Sequence, residues 1–279
     1  MTQNLRIALM LAPAVLVIGL LFGGALVVAL LRSLDTGDAG FSLAAYARVL
    51  ANPDFLPSFA LTFHIAFTST ILSAAFGVGA ALLIRGSGAG RGAMTFLFQL
   101  NLTVPHVVGA IGMLYLFSQS GSFARLGHAI GLIERPADFP ALVFDPHAIG
   151  IILHYVWKEV PFIGTVVLAQ MQAIGPDHEA SARSLGASRW QAFRHVLLPL
   201  ILPGLLGASA ISFAFAFGAY EIPAILGASH PQALPVLAWR SYTATDLATR
   251  PDALAMTVVI ALLSGLMLGA YLRAARRRG

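Results

Sequence analysis

Apolar residues along this chain are gathered into long runs, and polar residues lie mainly in the shorter stretches between them. A helix needs about 20 apolar residues in succession to cross the roughly 30 Å hydrocarbon core of a bilayer. Six runs come close to or exceed that length, and each is predicted to form a membrane-spanning helix. Their predicted bounds are residues 7–31, 58–85, 93–118, 149–174, 201–219 and 253–272. The pattern predicts an all-α membrane protein in which residues 1–279 form one transmembrane domain.

Three apolar stretches need a closer reading. The first run, 7–31, is much longer than the roughly 7–15 residues of a signal-peptide core, so it is interpreted as a retained helix. The fourth run is interrupted by Lys158 and Glu159. Residues 222–239 carry no charge, but three prolines interrupt them. Because proline deletes a backbone donor and clashes inside a helix, this stretch is predicted to be an irregular cap.

The composition supports a membrane protein and excludes several functions. Hydrophobic residues make up 58% of the chain and charged residues 10%, whereas a soluble domain carries about 25% charged residues. The net charge of +5 does not indicate nucleic-acid binding, because the cations are sparse and lie between apolar runs. The chain has no cysteine, which excludes disulfides, thiolate metal sites and cysteine nucleophiles.

The distribution of cations orients the chain. If both termini are cytoplasmic, the inner segments hold ten Lys and Arg residues and the outer segments hold six. The positive-inside rule therefore favours cytoplasmic termini. The basic tail 273–278 contributes most to this prediction. The outer loops, which are net negative, are predicted near residues 32–57, 120–148 and 219–252.

The inner segment between the fourth and fifth runs, residues 175–199 (segment 175–199), is more than a connector. Pro176 and the acids after it are typical of a helix start. Gly186 then predicts a bend, and apolar residues at three- to four-residue steps predict a second helix that Leu198 and Pro199 close. Two interpretations stay open: an amphipathic helix on lipid head groups, or a helical knob that docks into another protein.

The residues of this segment resemble a known signature. Gly186 is followed by Val196, Leu198 and Pro199 at steps of ten, twelve and thirteen, as in the second half of the "EAA" motif. That motif marks the membrane subunits of binding-protein-dependent ABC importers. The surrounding string is also similar to the family; it includes Ala182, Gly186, Ala187 and Arg189. The resemblance is strong over this segment and looser over the six-run layout.

One position departs from the family pattern. The family glutamate stands six residues before the glycine, where this chain has Ala180. Glu179 lies one position earlier, which rotates it by about 100° on a helix. Glu179 therefore either takes over the role of that glutamate, or the role is absent here or belongs to a partner subunit.

The resemblance implies a permease, not an enzyme, without a cofactor and with both termini on the cytoplasmic side of the inner membrane. Segment 175–199 would contact the ATP-hydrolysing subunits; its expected coupling residues are Glu179, Ala180, Ala182, Gly186, Ala187, Arg189 and Pro199. Other implied partners are an extracytoplasmic solute-binding protein, a second permease (a paralogue, with a second copy of this chain as the alternative) and lipid. This chain itself has no G-x-x-x-x-G-K-[ST] loop for ATP, and its Gly-rich run 85–91 is predicted to be a turn.

The string from Tyr220 to Gly227 looks most like permeases of the polyamine and ferric-iron branch, so one of those solutes is the expected substrate. In relatives the following outer loop approaches the binding protein, which makes residues 229–235 an expected contact.

Intramembrane ionisable residues usually face protein or a water-filled path. The expected translocation-pathway residues are Lys158, Glu159, Phe217, Tyr220 and Glu221; structural anchoring and aromatic packing are the alternatives.

Two further alternatives and one exclusion complete the prediction. An ion-gradient-driven secondary transporter would show repeats and broken spans, and no clear repeat is seen. A structural membrane protein would need no conduit. His64, His106 and His154 lie on different runs without the i, i+4 spacing of helix-borne ligands, so no metal site is predicted.

Overall fold

The computed structural model describes residues 3–34 and 40–276, and these residues form fourteen α-helices without a β-strand. In chain order the helices are α1 Gln3–Ile18, α2 Gly24–Leu34, α3 Ala44–Ala51, α4 Phe55–Gly86, α5 Arg91–Leu100, α6 His106–Phe117, α7 Ser122–Ala129, α8 Ile149–Ile174, α9 Asp177–Ser184, α10 Arg189–Ala192, α11 Leu198–Gly218, α12 Glu221–Leu226, α13 Leu234–Thr243 and α14 Arg250–Arg276. Short π-helical turns at Gly19–Gly23 and Phe193–Leu197 join α1 to α2 and α10 to α11.

Six helical stretches in the described part of the chain are long and apolar enough to cross a bilayer. They are Leu9–Leu34, Phe55–Gly86, His106–Ala129, Ile149–Ile174, Arg189–Gly218 and Leu247–Tyr271. The predicted all-α membrane fold is confirmed, and the fourth predicted span matches α8 to the residue. Arg277 and Arg278 of the predicted basic tail lie outside the described residues.

The third predicted span, 93–118, is not one helix. α5 ends at Leu100, a single 3-10 turn follows over Asn101–Thr103, and Val104 is extended before α6 begins at His106. The cause is Pro105, which disfavours the helical conformation in the residue before it and lacks a backbone donor. The hydropathy pattern runs through this break because its residues are still mostly apolar.

Two other boundaries also differ from the prediction. Leu198 and Pro199 do not close segment 175–199, because the helix continues from Arg189 to Gly218 through the π-helical turn. Pro199 stands within the first two residues of α11, immediately after that turn. The stretch 222–239 is not an irregular cap, since α12 and α13 occupy most of it. Its prolines are tolerated where short helices begin.

The chain divides into two compact units. The first comprises residues up to Pro57 together with Leu234–Leu262, and the second comprises Ser58–Ala233 with the remainder of α14. Within the first unit, the Ser33 and Tyr46 hydroxyls lie 2.8 Å apart, joining α2 to α3. Arg48 binds Asp252 of α14 at 2.6 Å. The side-chain hydrogen bond from Arg48 to Asp252 raises the pKa of the Arg48 guanidinium above its ordinary value.

In the second unit α8 is the central helix, with twelve buried residues. A cluster of buried apolar side chains joins it to α4, to the π-helical turn and to α11. Its members are Ala81, Ile84, Ile163, Val167, Leu168, Met171, Leu197, Ile201 and Ala208. Phe193 and Leu82 pack against this cluster at its edge. The cluster therefore links the helix that follows segment 175–199 to α4 and α8.

Two glycines, Gly77 on α4 and Gly164 on α8, lie against each other. A Cβ placed on Gly77 would lie 3.0 Å from the backbone nitrogen of Gly164, and one on Gly164 would lie 2.7 Å from the Phe98 ring. Small residues allow helix backbones to approach closely in membranes, where van der Waals packing drives association. Gly77 and Gly164 are therefore part of the packing that fixes α8 in place.

Replacing Gly77 with leucine is expected to destabilise the protein by about 1–3 kcal/mol, because the obstacle is backbone and cannot rotate away. The measurement is the thermal unfolding midpoint of the purified protein in detergent. Gly79→Leu is the matched control, since a Cβ on Gly79 meets nothing within 4 Å. Equal midpoints for the two variants would contradict the assignment of a packing role to Gly77.

Candidate functional site

Segment 175–199 begins with a short polar helix, α9. Pro176 precedes α9, and Asp177 and Glu179 stand in its first turn, where carboxylates are favoured by the helix dipole. Gly175, just before this helix, has φ +74° and ψ −176°, a conformation that is essentially restricted to glycine. The reversal from α8 into α9 therefore depends on a glycine at this position.

Three residues expected to act in coupling meet at the end of α9. Gly186 has φ +92°, its N–H donates to the Arg183 carbonyl at 3.0 Å, and the Ala187 N–H donates to the Ala182 carbonyl at 3.1 Å. This pair of bonds is the Schellman motif that ends helices at a left-handed residue. The predicted glycine bend is confirmed, and Ala182, Gly186 and Ala187 form it together.

The next helix starts with reciprocal capping. The Ser188 hydroxyl accepts from the Gln191 N–H at 3.2 Å, and the Gln191 side chain accepts from the Ser188 N–H at 2.8 Å. Such a capping box satisfies two donors that the first turn leaves free. The turn from Leu185 to Ser188 is thus held by the Schellman motif before it and by the capping box after it.

Glu179 points into the protein and pairs with Arg85 at the end of α4. A guanidinium nitrogen lies 2.5 Å from the carboxylate, and about four fifths of the Arg85 side chain and three quarters of the Glu179 side chain are buried. Arg85 also donates to the Gly175 carbonyl at 3.2 Å. Ala180, at the family glutamate position, is exposed. Glu179 therefore has an ion-pair partner within its own chain.

The surface of segment 175–199 combines exposed apolar side chains with a cavity. Leu185 is 90% exposed at the tip of the bend and Trp190 is 64% exposed beside it. Trp190 also lines a cavity of about 590 Å³. Its lining residues are Leu82, Pro176, Glu179, Ala180, Arg183, Arg189, Trp190, Ala192 and Phe193. An apolar tip flanked by arginines is an arrangement that suits a protein groove with acidic edges.

Lys158 lies in the middle of the helical bundle and binds the break between α5 and α6. Its ammonium group donates to the carbonyls of Asn101 and Val104, both at 2.7 Å. Lys158 is 4% exposed. The charge thus compensates backbone carbonyls that the break leaves without helical partners.

Glu159 is rotated by about 100° from Lys158 around α8, as the next residue of a helix must be. It is 5% exposed, and neither carboxyl oxygen has a hydrogen-bond partner. Both residues line a cavity of about 390 Å³ between the α5–α6 break, α8 and α11. Among its lining residues are Thr103, His106 and Ser212.

The other three expected pathway residues lie elsewhere. Phe217 is buried, stacks on Phe213 at 5.7 Å and meets the edge of Phe59 at 6.2 Å, so it contributes to packing. Tyr220 and Glu221 lie at the start of α12 and are exposed. The cavity brings together Lys158 and Glu159 but none of these three.

His106 and His154 lie closer to each other than their positions in the sequence indicated. The rings of His106 and His154 lie 5.8 Å apart on α6 and α8, although they were expected to be scattered. Within the described residues, no group of three or more metal-binding side chains is found. The pair arises because the break at Pro105 lets α6 cross α8, which is a tertiary effect.

Three notable residues were missed by sequence reasoning. Arg85 was assigned to a flexible turn, and nothing in the run 85–91 marks it as the partner of an acid in the next inner segment. Leu185 carried a signal, since no other Val, Ile, Leu, Met or aromatic residue occurs in 175–189. Ser212 stands in an apolar run with no distinguishing neighbours.

Comparisons with known proteins give a consistent result. A family model described as "Binding-protein-dependent transport system inner membrane component" matches residues 73–278. The sulfate transport system permease protein CysT of Escherichia coli is 29% identical over 183 residues, which are 65% of this chain and 62% of that protein. A probable molybdenum ABC transporter permease of Haloferax volcanii is 31% identical over 233 residues, 83% and 78% of the two chains.

A solved structure is also similar. A bacterial alginate ABC transporter, in complex with an alginate pentasaccharide-bound periplasmic protein, matches with a TM-score of 0.79 and 19% identity. The match covers 99% of this chain and 95% of that one, and at this identity it shows a shared fold. The chain spans about three fifths of the length of the sulfate permeases that it matches.

Proposed function

Since the chain belongs to the family of binding-protein-dependent transport system inner membrane components, we propose that it is a permease subunit of an ATP-driven importer. In this proposal it forms half of a translocation pathway and does not hydrolyse ATP. It lies in the inner membrane with both termini in the cytoplasm. Segment 175–199 then faces the cytoplasm, where ATP-hydrolysing subunits are available.

The observation that carries this proposal is the shape of segment 175–199. A single leucine stands 90% exposed at the tip of a bend that a Schellman motif and a capping box hold in place. Trp190 in the same segment is 64% exposed as well, and exposed apolar side chains held in a fixed bend suit a helix-in-groove contact with a partner protein. Arg189 and Arg183 beside the cavity would meet acidic residues at the rim of that groove.

The proposed coupling to the membrane helices runs through close packing. Phe193 packs against the buried cluster that joins α4, α8 and α11, and Leu197 is a member of it. Arg85 adds a polar link from α9 to the end of α4. Packed interiors transmit rigid-body displacement because they are hard to compress. A shift of segment 175–199 would therefore move these three helices together.

The substrate proposed is a tetrahedral oxyanion, sulfate or molybdate. The support is the relatives named above, which are sulfate and molybdenum permeases. The expected polyamine or ferric-iron branch is not confirmed by them. The solute would be delivered by a binding protein, as the periplasmic protein bound to the alginate transporter illustrates for that system. Residues 229–235 remain the proposed contact, and a paralogous second permease the proposed partner.

The test is reconstitution of the chain with its ATPase subunits, the second permease and the binding protein in liposomes. Uptake of radiolabelled sulfate and molybdate is measured with ATP, without ATP and with an imposed ion gradient. ATP-dependent uptake that requires the binding protein is the expected result. Uptake driven by the gradient alone would instead establish the secondary-transporter alternative and overturn this proposal.

A further inference from the structure

We propose that the cavity beside Lys158 is a transit site for the tetrahedral oxyanion, within this chain rather than in the binding protein. The inference rests on the proposed function and assigns its substrate a site. The cavity of about 390 Å³ has room for such an anion and part of its hydration shell, since one water occupies about 30 Å³. Leu102 and Phe215 line it while being partly exposed, so the cavity opens at the surface.

The first donor is Lys158. An ammonium group has three N–H donors, and the carbonyls of Asn101 and Val104 take two of them. One donor and the full positive charge remain for the cavity that Lys158 lines. Buried positive charge is costly in a membrane and usually marks a path for a substrate or an ion.

The second donor set is the start of α6. This helix begins at His106 after Pro105, which provides no side-chain cap. The N–H groups of a first helical turn have no intrahelical partner and form a ready site for anions. His106 and Pro105 both line the cavity, so this uncapped end opens on the same space as Lys158.

The third donor is independent of the first two. Ser212 of α11 is 3% exposed, lines the cavity, and its hydroxyl oxygen has no hydrogen-bond partner. A buried hydroxyl without a partner costs free energy. An oxyanion that bridges Lys158, α6 and Ser212 would satisfy that hydroxyl.

Glu159 also lines this cavity. Its carboxyl oxygens also lack partners, and a carboxylate there would repel sulfate or molybdate. Thr103 lines the cavity too, but its hydroxyl donates to the Leu100 carbonyl at 2.7 Å. An ionised Glu159 would offset part of the attraction by Lys158 and weaken the binding of the anion. Weak binding is required of a site on a pathway, because the solute must leave as readily as it enters.

The direct test uses the absence of cysteine in the chain. In the assembled complex, Ser212→Cys places one thiol in the cavity, and its modification is timed with two methanethiosulfonates, one bearing a sulfonate and one a trimethylammonium group. The sulfonate reagent is expected to react at least threefold faster relative to its rate with free thiol. Sulfate or molybdate is expected to slow both reactions. Preference for the cationic reagent, or no protection by either anion, would overturn the proposal.

A transport measurement gives a second readout. Ser212→Ala is expected to lower anion uptake per ATP hydrolysed about tenfold, as expected for loss of a hydrogen bond to a charged group. Ser209→Ala is the matched control, one turn away on α11 and outside the cavity lining. If the wild-type protein takes up the anion and the two variants take it up equally well, the transit site is wrong while the proposed function stands. Absence of wild-type anion uptake overturns the proposed function and the site with it.

Discussion

Reversing the charge of Arg85 with glutamate is expected to reduce ATP-driven uptake at least tenfold while the protein still inserts in the membrane. Two carboxylates would then face each other at the end of α4, and the hydrogen bond to the Gly175 carbonyl would be lost. Breaking a largely buried ion pair on one side is strongly destabilising, because the remaining charge stays uncompensated. The measurement is anion uptake per ATP hydrolysed in proteoliposomes.

The reciprocal double variant, Arg85→Glu with Glu179→Arg, separates a local ion pair from a general loss of folding. It is expected to recover a substantial part of the uptake, since the pair is restored with opposite polarity. Arg91→Glu is the matched control: it makes the same charge change six residues along, where Arg91 is exposed and donates to the Arg85 carbonyl. If the double variant is no better than either single variant, the proposed role of this pair is wrong.

Replacing Gly186 with leucine is expected to abolish coupling between ATP hydrolysis and uptake. The residue has φ +92°, and a left-handed conformation costs a residue with a Cβ about 1–2 kcal/mol. Space is not the obstacle, because a Cβ there meets nothing within 4 Å. The bend would open to relieve the strain, and the Leu185 tip would leave its position. Stimulation of ATP hydrolysis by the loaded binding protein measures the effect.

The chain contains a matched control for this substitution. Gly131 has φ +75°, and the helix α7 ends there with the same pair of hydrogen bonds that ends α9 at Gly186. Gly131→Leu therefore imposes similar backbone strain in the loop after α7. It is expected to leave coupling intact. Similar loss in both variants would show that backbone strain in general, rather than the bend in segment 175–199, impairs the protein.

The bend itself was predictable from the sequence because its determinants are local. Proline and acids at a helix start, a glycine ten residues on and a serine with glutamine three residues later are short-range signals. The six apolar stretches were predictable for a similar reason, since span length follows from bilayer thickness. Boundaries set by individual prolines were less accurate, as the break before His106 and the uninterrupted helix through Pro199 show.

The pairings between distant residues were not predictable. Arg85 and Glu179 are 94 positions apart, and no pattern in either segment specifies the other. Lys158 and Glu159 were recognised as unusual, but the partners of Lys158 are backbone carbonyls, which carry no sequence signature. Phe217 was an expected pathway residue with aromatic packing as the alternative, and only the structure shows its ring contacts with Phe213 and Phe59. Which face of an apolar helix is covered depends on the helices around it.

Lys158 is the one lysine of the chain, and its amine is covered by two carbonyls of the α5–α6 break. Acylating reagents therefore have a single side-chain amine to modify in this chain, and its reactivity changes when the α5–α6 break rearranges. The degree of acylation after a timed exposure would measure how far the bundle interior around Lys158 has opened. Mass spectrometry of the peptide that contains Lys158 would give this measurement at each stage of the ATP cycle, without an introduced label.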